Sequence, residues 1–522
     1  MLLLQRFWYI LEHSPEDPAI EAKGASISYR ELGHIVLRLA TDLRSCGAFA
    51  PRDFVPVVGD KHTMTYAAHL AILICGGAFV PTNSRFPIVR TLDSIKRSHA
   101  KLVLSAGADM EKVKALSSLT RIIDILPHGE KLPRYEDPLP ELRRLSVEMH
   151  WDQAPDAPAY LLFTSGTTGK PKGVMITRGN LEGYLDRVIS GYCIGAGDRL
   201  SQLFDLTFDL SVHDTFCALL SGACLVIPEA NEQILPMHYL RQREITISFC
   251  VPSTAQSLAD LRQLKPDSFP DLRLSLFCGE AMGAELAQQW FVAAPNSIIE
   301  NLYGPTEATI AFTRYRWDAD HAKAHSVNGL LPIGAPFEGL ACAIIDEEGG
   351  EGELVLIGDQ VAEGYFEDPD RSSGCFLPSD GVAPERVCAG DPRLAASARA
   401  FRTGDRVCRA EDGTLVFLGR RDTQIKIKGY RADLMEIESI ARDTFEVGTW
   451  IVVPKFDSRG GIKELIAFVH ENDAEKGSSL QLLAKRLPHY MVPARVECVS
   501  DWPKNASGKL DRKALQLSLS KK

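Results

Sequence analysis

A chain of 522 residues, 45% of them hydrophobic, is too long for one ordinary domain and long enough for two or three with sizeable cores. Its formal net charge of −10 excludes a general nucleic-acid binder, which needs a basic face. The charge is uneven: Thr423 to Lys522 carries 17 Lys+Arg against 13 Asp+Glu, a net of +4, leaving −14 for the remainder. Such a tail reads first as a solvated surface and second as a face for an acidic partner.

Taken in chain order, the N-terminus MLLLQRFWYILEHSPEDP is apolar but lacks a basic n-region and a small-residue cleavage site, so no signal peptide is expected. The longest apolar stretch, Ala67 to Val80, holds His69 and two glycines and is too short to span a bilayer, so no membrane partner is expected. The 12 cysteines, from Cys46 to Cys498, contain no C-x-x-C pair, which argues against a zinc site or redox motif. Cys75 and Cys224 sit in apolar runs, where a thiol acts as a small hydrophobe. A reduced, cytoplasmic protein is expected. Strand-like runs at Leu102–Ser105, Ile122–Ile125, Cys224–Ile227 and Ile245–Val251 alternate with helical patterns such as Leu181–Ile189 and Met237–Glu244, which predicts an α/β fold. From Gly352–Ile357 to Gly413–Leu418 the pattern turns β-rich, and Ser379 to Ala400 reads as a surface loop or short helix. A helical run from Leu434 to Phe445 then opens a small α/β unit, so a boundary is placed at Asp422, giving domains 1–421 and 422–522.

The strongest local signal is YLLFTSGTTGKPKG, Tyr160 to Gly173. A strand-like run feeds Thr164, Ser165, Gly166, Thr167, Thr168, Gly169 and Lys170. Glycines let successive backbone N–H groups converge on an anion, and hydroxyls and lysines add donors and charge. That composition suits the polyphosphate of ATP, although it is not the G-x-x-x-x-G-K-[ST] P-loop pattern.

This loop resembles the signature of the adenylate-forming superfamily, which contains acyl-CoA synthetases, luciferases and nonribosomal peptide synthetase adenylation domains. The resemblance continues in order through GGAFVP (Gly76–Pro81), NLYGPTE (Asn301–Glu307), GELVLIGDQVAEGY (Gly352–Tyr365), FRTGD (Phe401–Asp405), Gly419–Arg431, LPHYMVP (Leu487–Pro493) and PKNASGKLDRKAL (Pro503–Leu515). It implies a large N-terminal domain of α/β subdomains plus a β-rich subdomain, with a small mobile C-terminal α/β domain hinged at Asp422. It also implies residue roles. Adenine lies against Tyr303 in the motif that includes Gly304 and Thr306, Asp405 binds the ribose hydroxyls with help from Arg420, and Glu307 holds Mg2+. Lys509 and Thr164 act at the reacting carboxylate and phosphate. Lys428-Gly429 lies near an entering pantetheine arm. This chain departs from the pattern at Arg178, often His, and at Met435, usually Gly.

The segment FDLSVHD, Phe208 to Asp214, resembles the F-D-x-S motif of amino-acid-activating members, where Asp209 pairs with the substrate ammonium. A buried ammonium needs such a partner. The competing reading is that Asp209 caps a helix starting at Ser211. Spacing from the motifs places Leu210, His213, Leu302, Ile310 and Ala311 in the side-chain pocket, with Cys250, Leu276 and Cys278 as further positions. That mostly apolar lining favours a small or medium side chain such as alanine, proline or valine, while His213 either fills volume or meets a polar group. The chain contains no recognisable carrier, condensation or thioesterase motif, so it resembles a free-standing ligase that loads a separate carrier protein. Alternatives are an acyl- or aryl-CoA synthetase, which does not need Asp209, and a non-catalytic adenylation-like binding protein.

Overall fold

The computed structural model describes residues 3–107, 115–117, 120–125, 137–148, 155–165, 171–319, 326, 329–348, 350–377, 387–390, 399–445, 449–457, 461–471, 480–503 and 510–519. The chain forms two compact units, one of Met1–Ser84, Ile95–Leu162 and Gly173–Gly419, the other of Arg85–Ser94, Phe163–Lys172 and Arg420–Lys522.

The larger unit holds three sheets. One runs in the order Arg121–Asp124, Leu102–Ala106, Phe54–Gly59, Ala78–Asn83, Pro158–Thr164, Lys172–Thr177, and its first five strands pair in parallel. A nine-stranded sheet has a parallel centre of Pro18–Ala22, Cys224–Ile227, Arg199–Ser201, Ile247–Cys250, Leu274–Phe277 and Ile298–Tyr303. Antiparallel strands close both of its edges. Short β-branched runs separated by helices give this arrangement because parallel neighbours need a crossover. The apolar stretch from Ala67 belongs to this core. The helix Thr63–Ile74 is buried along its length, Gly76 turns the chain with φ 82°, and the strand Ala78–Asn83 follows. His69 stacks on Phe79 at 4.3 Å, and Phe79 in turn meets Tyr160 and Phe216. Among the described residues no helix is long and apolar enough to cross a membrane.

The third sheet is antiparallel and joins Ala341–Glu348, Glu351–Ile357 and Ala400–Arg409. Here the expected loop from Ser379 to Ala400 is corrected. Val387–Gly390 is a strand paired with Ala341–Ala343 at the edge of the sheet, and four residues are too short a run to show a strand period in the sequence, while 379–386 and 391–398 lie outside the described residues.

In the smaller unit, a hairpin joins Gln424–Ile427 to Tyr430–Asp433. Its two-residue turn has positive φ at both Lys428 (49°) and Gly429 (82°), which is the geometry that matches strand twist. The turn itself therefore calls for glycine at 429. The helix Leu434–Phe445 and the strands Ile451–Phe456, Ile462–His470 and Arg495–Val499 follow. Strand alternation divides the core: Val452, Leu465, Ala467 and Val469 pack with Ile437 and Ala441, whereas Val453, Ile466 and Phe468 pack with Leu515 and Leu519. Met435 lies on the exposed side of its helix. The mixed α/β architecture with a large and a small unit agrees with the sequence reading.

Candidate functional site

Most of the sequence-selected residues of the larger unit lie at or just beyond the carboxyl ends of adjacent parallel strands. Asp209 follows Arg199–Ser201, Cys250 ends Ile247–Cys250, Cys278 follows Leu274–Phe277, and Tyr303 ends Ile298–Tyr303. Open parallel sheets bind ligands at that edge.

Asp209 is the first residue of the helix Asp209–Leu219, whose N-cap is Phe208. The helix thus starts two residues before Ser211, and Asp209 is not its cap. Ser211 Oγ instead donates to Phe208 O at 2.7 Å. A carboxylate in the first turn faces the positive end of the helix dipole. Asp209 is buried and within electrostatic reach of the buried Tyr160 and Tyr184 phenols, which burial pushes well above their usual range. The turn before the helix is fixed by residues the motifs did not flag. Asp205 accepts from Thr207 N and Oγ1 at 2.9 and 2.7 Å and also from Asn83, and Lys61 Nζ caps Gln202 O and Leu203 O at 2.9 Å each.

Leu210, Leu276, Cys278, Leu302, Ile310 and Ala311 share one buried apolar core. His213 is fully buried, stands edge-on to Phe249 at 4.5 Å, and has Nδ1 2.7 Å from Tyr184 Oη. Burial pushes its pKa down to about 3. Cys250 packs into a second core with Tyr239 and Phe277, so strand alternation gives Phe249, not Cys250, to the His213 side. Phe249 and Tyr184 carried no sequence signal, being ordinary apolar and helix residues. Asp214, beside His213 in sequence, is buried, with its pKa raised by desolvation against a smaller opposing pull from Lys61.

Tyr303, Gly304, Thr306 and Glu307 lie on one strand end and the turn beyond it. Gly304 has no room for a side chain, since a Cβ there would lie 2.6 Å from Ala311 Cα. Thr309 and Ile310 both take positive φ, 57° and 71°, a strained backbone for β-branched residues. Gln360, from the GELVLIGDQVAEGY segment, holds it. Its side-chain Nε2 donates to Ala311 O at 2.9 Å, and its main-chain carbonyl accepts from Thr309 Oγ1 at 2.6 Å. Glu307 is fully buried and accepts from Tyr365 Oη at 2.9 Å. Tyr303 Oη donates to Asp405 Oδ2 at 2.5 Å. Asp405 lies within a strand rather than a turn. Arg402 and Arg406 pair across from Val355 and Glu353, so the extra residues form a bulge at Gly404 (φ 72°) that re-aims the Asp405 carboxylate.

In the smaller unit, Ser165 Oγ donates to Arg431 O at 3.0 Å, and Thr164 Oγ1 is buried with no hydrogen-bond partner among the described residues. Arg420 grips Asp422 through Nε and Nη2 at 2.7 and 2.8 Å. Burial alone would raise the Asp422 carboxyl, but Arg420 and the Gln424 N–H outweigh it and hold it below the usual range. Gly166, Thr167, Thr168, Gly169, Lys170 and Lys509 lie outside the described residues. Beside Lys509, Asp511 N donates to Pro503 O at 2.8 Å, and Arg512 pairs with Glu438 at 2.5 Å.

Several known proteins are similar. A family model described as AMP-binding enzyme matches residues 7–366. D-alanine–D-alanyl carrier protein ligase of Listeria welshimeri is 30% identical, with 99% of each chain covered. Tyrocidine synthase 1 of Brevibacillus parabrevis is also 30% identical over 97% of this chain, which spans 44% of that longer protein. Among solved structures, the Vibrio cholerae adenylation domain AlmE, in complex with glycyl-adenosine-5'-phosphate, superposes with a TM-score of 0.85 at 28% identity, covering 100% of this chain and 98% of that one.

Proposed function

Because this chain belongs to the AMP-binding enzyme family, we propose that it activates an amino acid with ATP and loads it onto a carrier protein. In the first half-reaction a substrate carboxylate oxygen attacks the α-phosphorus of ATP. The bond to pyrophosphate breaks and an aminoacyl-AMP forms. In the second, the phosphopantetheine thiol of a separate carrier protein attacks the acyl carbon and AMP leaves. Both steps bring anions or charged groups together, so positioning and charge neutralisation dominate.

The buried carboxylate of Asp209 is the observation that carries the amino-acid reading. An anion held in the first helical turn, among tyrosines and apolar side chains, offers a counter-charge for a substrate ammonium. The full-length similarity to the D-alanine ligase supports the carrier-loading step. The largely apolar lining favours a small or medium side chain.

For the nucleotide, the Tyr303 ring suits adenine and Asp405 suits the ribose hydroxyls, and the family resemblance gives Thr164 its role toward phosphate. The donor set also fits Mg2+. Glu307 offers hard oxygen with one side fixed by Tyr365, and magnesium characteristically takes one or two carboxylates and completes its shell with phosphate and water. When bound, it neutralises developing phosphate charge. Lys509 takes the role of contacting the reacting carboxylate and phosphate. Asp422, clamped by Arg420, is the hinge, and Asp422→Pro should slow one half-reaction or both. Unchanged rates in both would move the hinge elsewhere.

The test is amino-acid-dependent exchange of labelled pyrophosphate into ATP, over L-, D- and β-amino acids and simple fatty and aryl acids. Exchange confined to acids without an amine would overturn the role of Asp209 and make the protein an acyl- or aryl-CoA synthetase.

A further inference from the structure

On the helix Asp209–Leu219, Asp209 and His213 are one turn apart and share a face. His213 Nδ1 is engaged by Tyr184 Oη at 2.7 Å, with Cys217 Sγ at 3.7 Å, whereas Nε2 is buried and has no partner among the described residues. Two tautomers are conceivable. If Nδ1 carried the proton and donated to Tyr184, the tyrosine hydrogen and the Nε2 lone pair would both be left buried without partners. If Tyr184 donates to Nδ1, its own hydrogen is satisfied and only an Nε2–H donor is left over. Burial keeps the ring neutral, so the second arrangement holds near neutral pH. The Tyr184 phenol is itself within electrostatic reach of Asp209 and Cys278, which brings this donor to the same part of the core as the ammonium-binding carboxylate.

We propose that His213, fixed by Tyr184 as the Nε2–H tautomer, donates a hydrogen bond to the substrate side chain. The preferred amino acid then carries one uncharged oxygen acceptor, a hydroxyl or amide carbonyl, in an otherwise apolar side chain of small or medium size. The remaining lining from Leu210, Leu276, Leu302, Ile310 and Ala311 offers van der Waals contact. An acidic side chain fits poorly, because a neutral donor does not neutralise a buried carboxylate. This inference rests on the reading of Asp209 as the ammonium partner and adds the polarity of the side chain.

The experiment is pyrophosphate exchange with near-isosteric pairs, threonine against valine, serine against alanine and asparagine against leucine, in both enantiomers. Wild type should prefer the oxygen-bearing member of the pair that fits by ~100-fold or more, because a site built to hydrogen-bond a group rejects the analogue lacking it. His213→Phe should erase or invert that preference. Tyr184→Phe, which keeps the ring and removes the tautomer-fixing hydroxyl, should narrow it by ~10-fold, and His213→Gln should retain part of it. Equal or better exchange with valine, alanine or leucine would overturn the His213 proposal and leave adenylation of an amino acid standing. Exchange with no amino acid, but with an acid lacking an amine, would overturn both.

Discussion

Tyr303, Gly304, Thr306 and Glu307 come from one strand end and its turn, whereas Leu210, His213, Leu276, Cys278, Leu302 and Ile310 come from several strand ends and helices far apart in sequence. The group proposed to face the nucleotide is also bonded internally and to its neighbours in the same unit. Tyr303 meets Asp405, Glu307 meets Tyr365, and Gln360 braces the strained turn. In the side-chain group the Tyr184–His213 contact joins residues of two different helices. A common ligand can be met by a contiguous, rigid motif. A variable ligand is met by single side chains on separate elements, each replaceable without disturbing the rest.

That contrast can be broken in order of expected effect. Lys509→Ala should lower pyrophosphate exchange by ~10³-fold while ATP binding by calorimetry survives, since losing a group that stabilises transition-state charge costs catalysis more than ground-state binding. Full activity in that variant would remove the lysine from the chemistry. Asp209→Ala should lower amino-acid-dependent exchange by about 10²-fold through KM, because the ammonium loses its buried partner. An unchanged KM would assign the carboxylate to helix structure alone. Gln360→Ala touches no ligand in this reading, yet should cost ~2 kcal/mol of stability and about 10-fold in exchange by leaving the buried Ala311 carbonyl without its side-chain donor and loosening the turn at Ile310, while the main-chain bond to Thr309 Oγ1 remains. A variant matching wild type in urea denaturation and exchange would show that the turn holds itself.

The smallest effect separates packing from chemistry. Burial depresses His69 and His213 to pKa values of about 3, below the 6.5 of an exposed imidazole. Between those values the unfolded chain binds protons that the folded chain does not. The stability each contributes is therefore full above pH 6.5 and lost as pH falls toward 3. His69→Phe should reduce that slope by about one proton, ~1.4 kcal/mol per pH unit, with exchange at neutral pH unchanged. An unaltered slope in pH-dependent denaturation would mean His69 protonates in place.

Strand and helix periodicity, the glycine-marked turns and the ordered motifs made the α/β fold with a large N-terminal and a small C-terminal part legible, because those features depend on local backbone geometry, whereas the grouping of Arg85–Ser94 and Phe163–Lys172 with the smaller unit was not. Local pattern also misled in places. Val387–Gly390 pairs with Ala341–Ala343 where a loop or short helix is expected, and the competing reading of Asp209 as a helix cap fails because the helix starts at Asp209 itself, after a turn held by Asp205, Asn83 and Lys61. The grouping of Cys250 with the second core, the contact of Phe249 with His213 and the pairing of Tyr184 with the imidazole were likewise not readable from the chain. Sequence by itself determined which chemistry-bearing residue types are present and at which strand ends they fall. Tertiary structure alone decided which face each side chain takes, which polar atom is satisfied and which ring nitrogen is left to donate, because burial and hydrogen-bond pairing are set by neighbours distant in the chain.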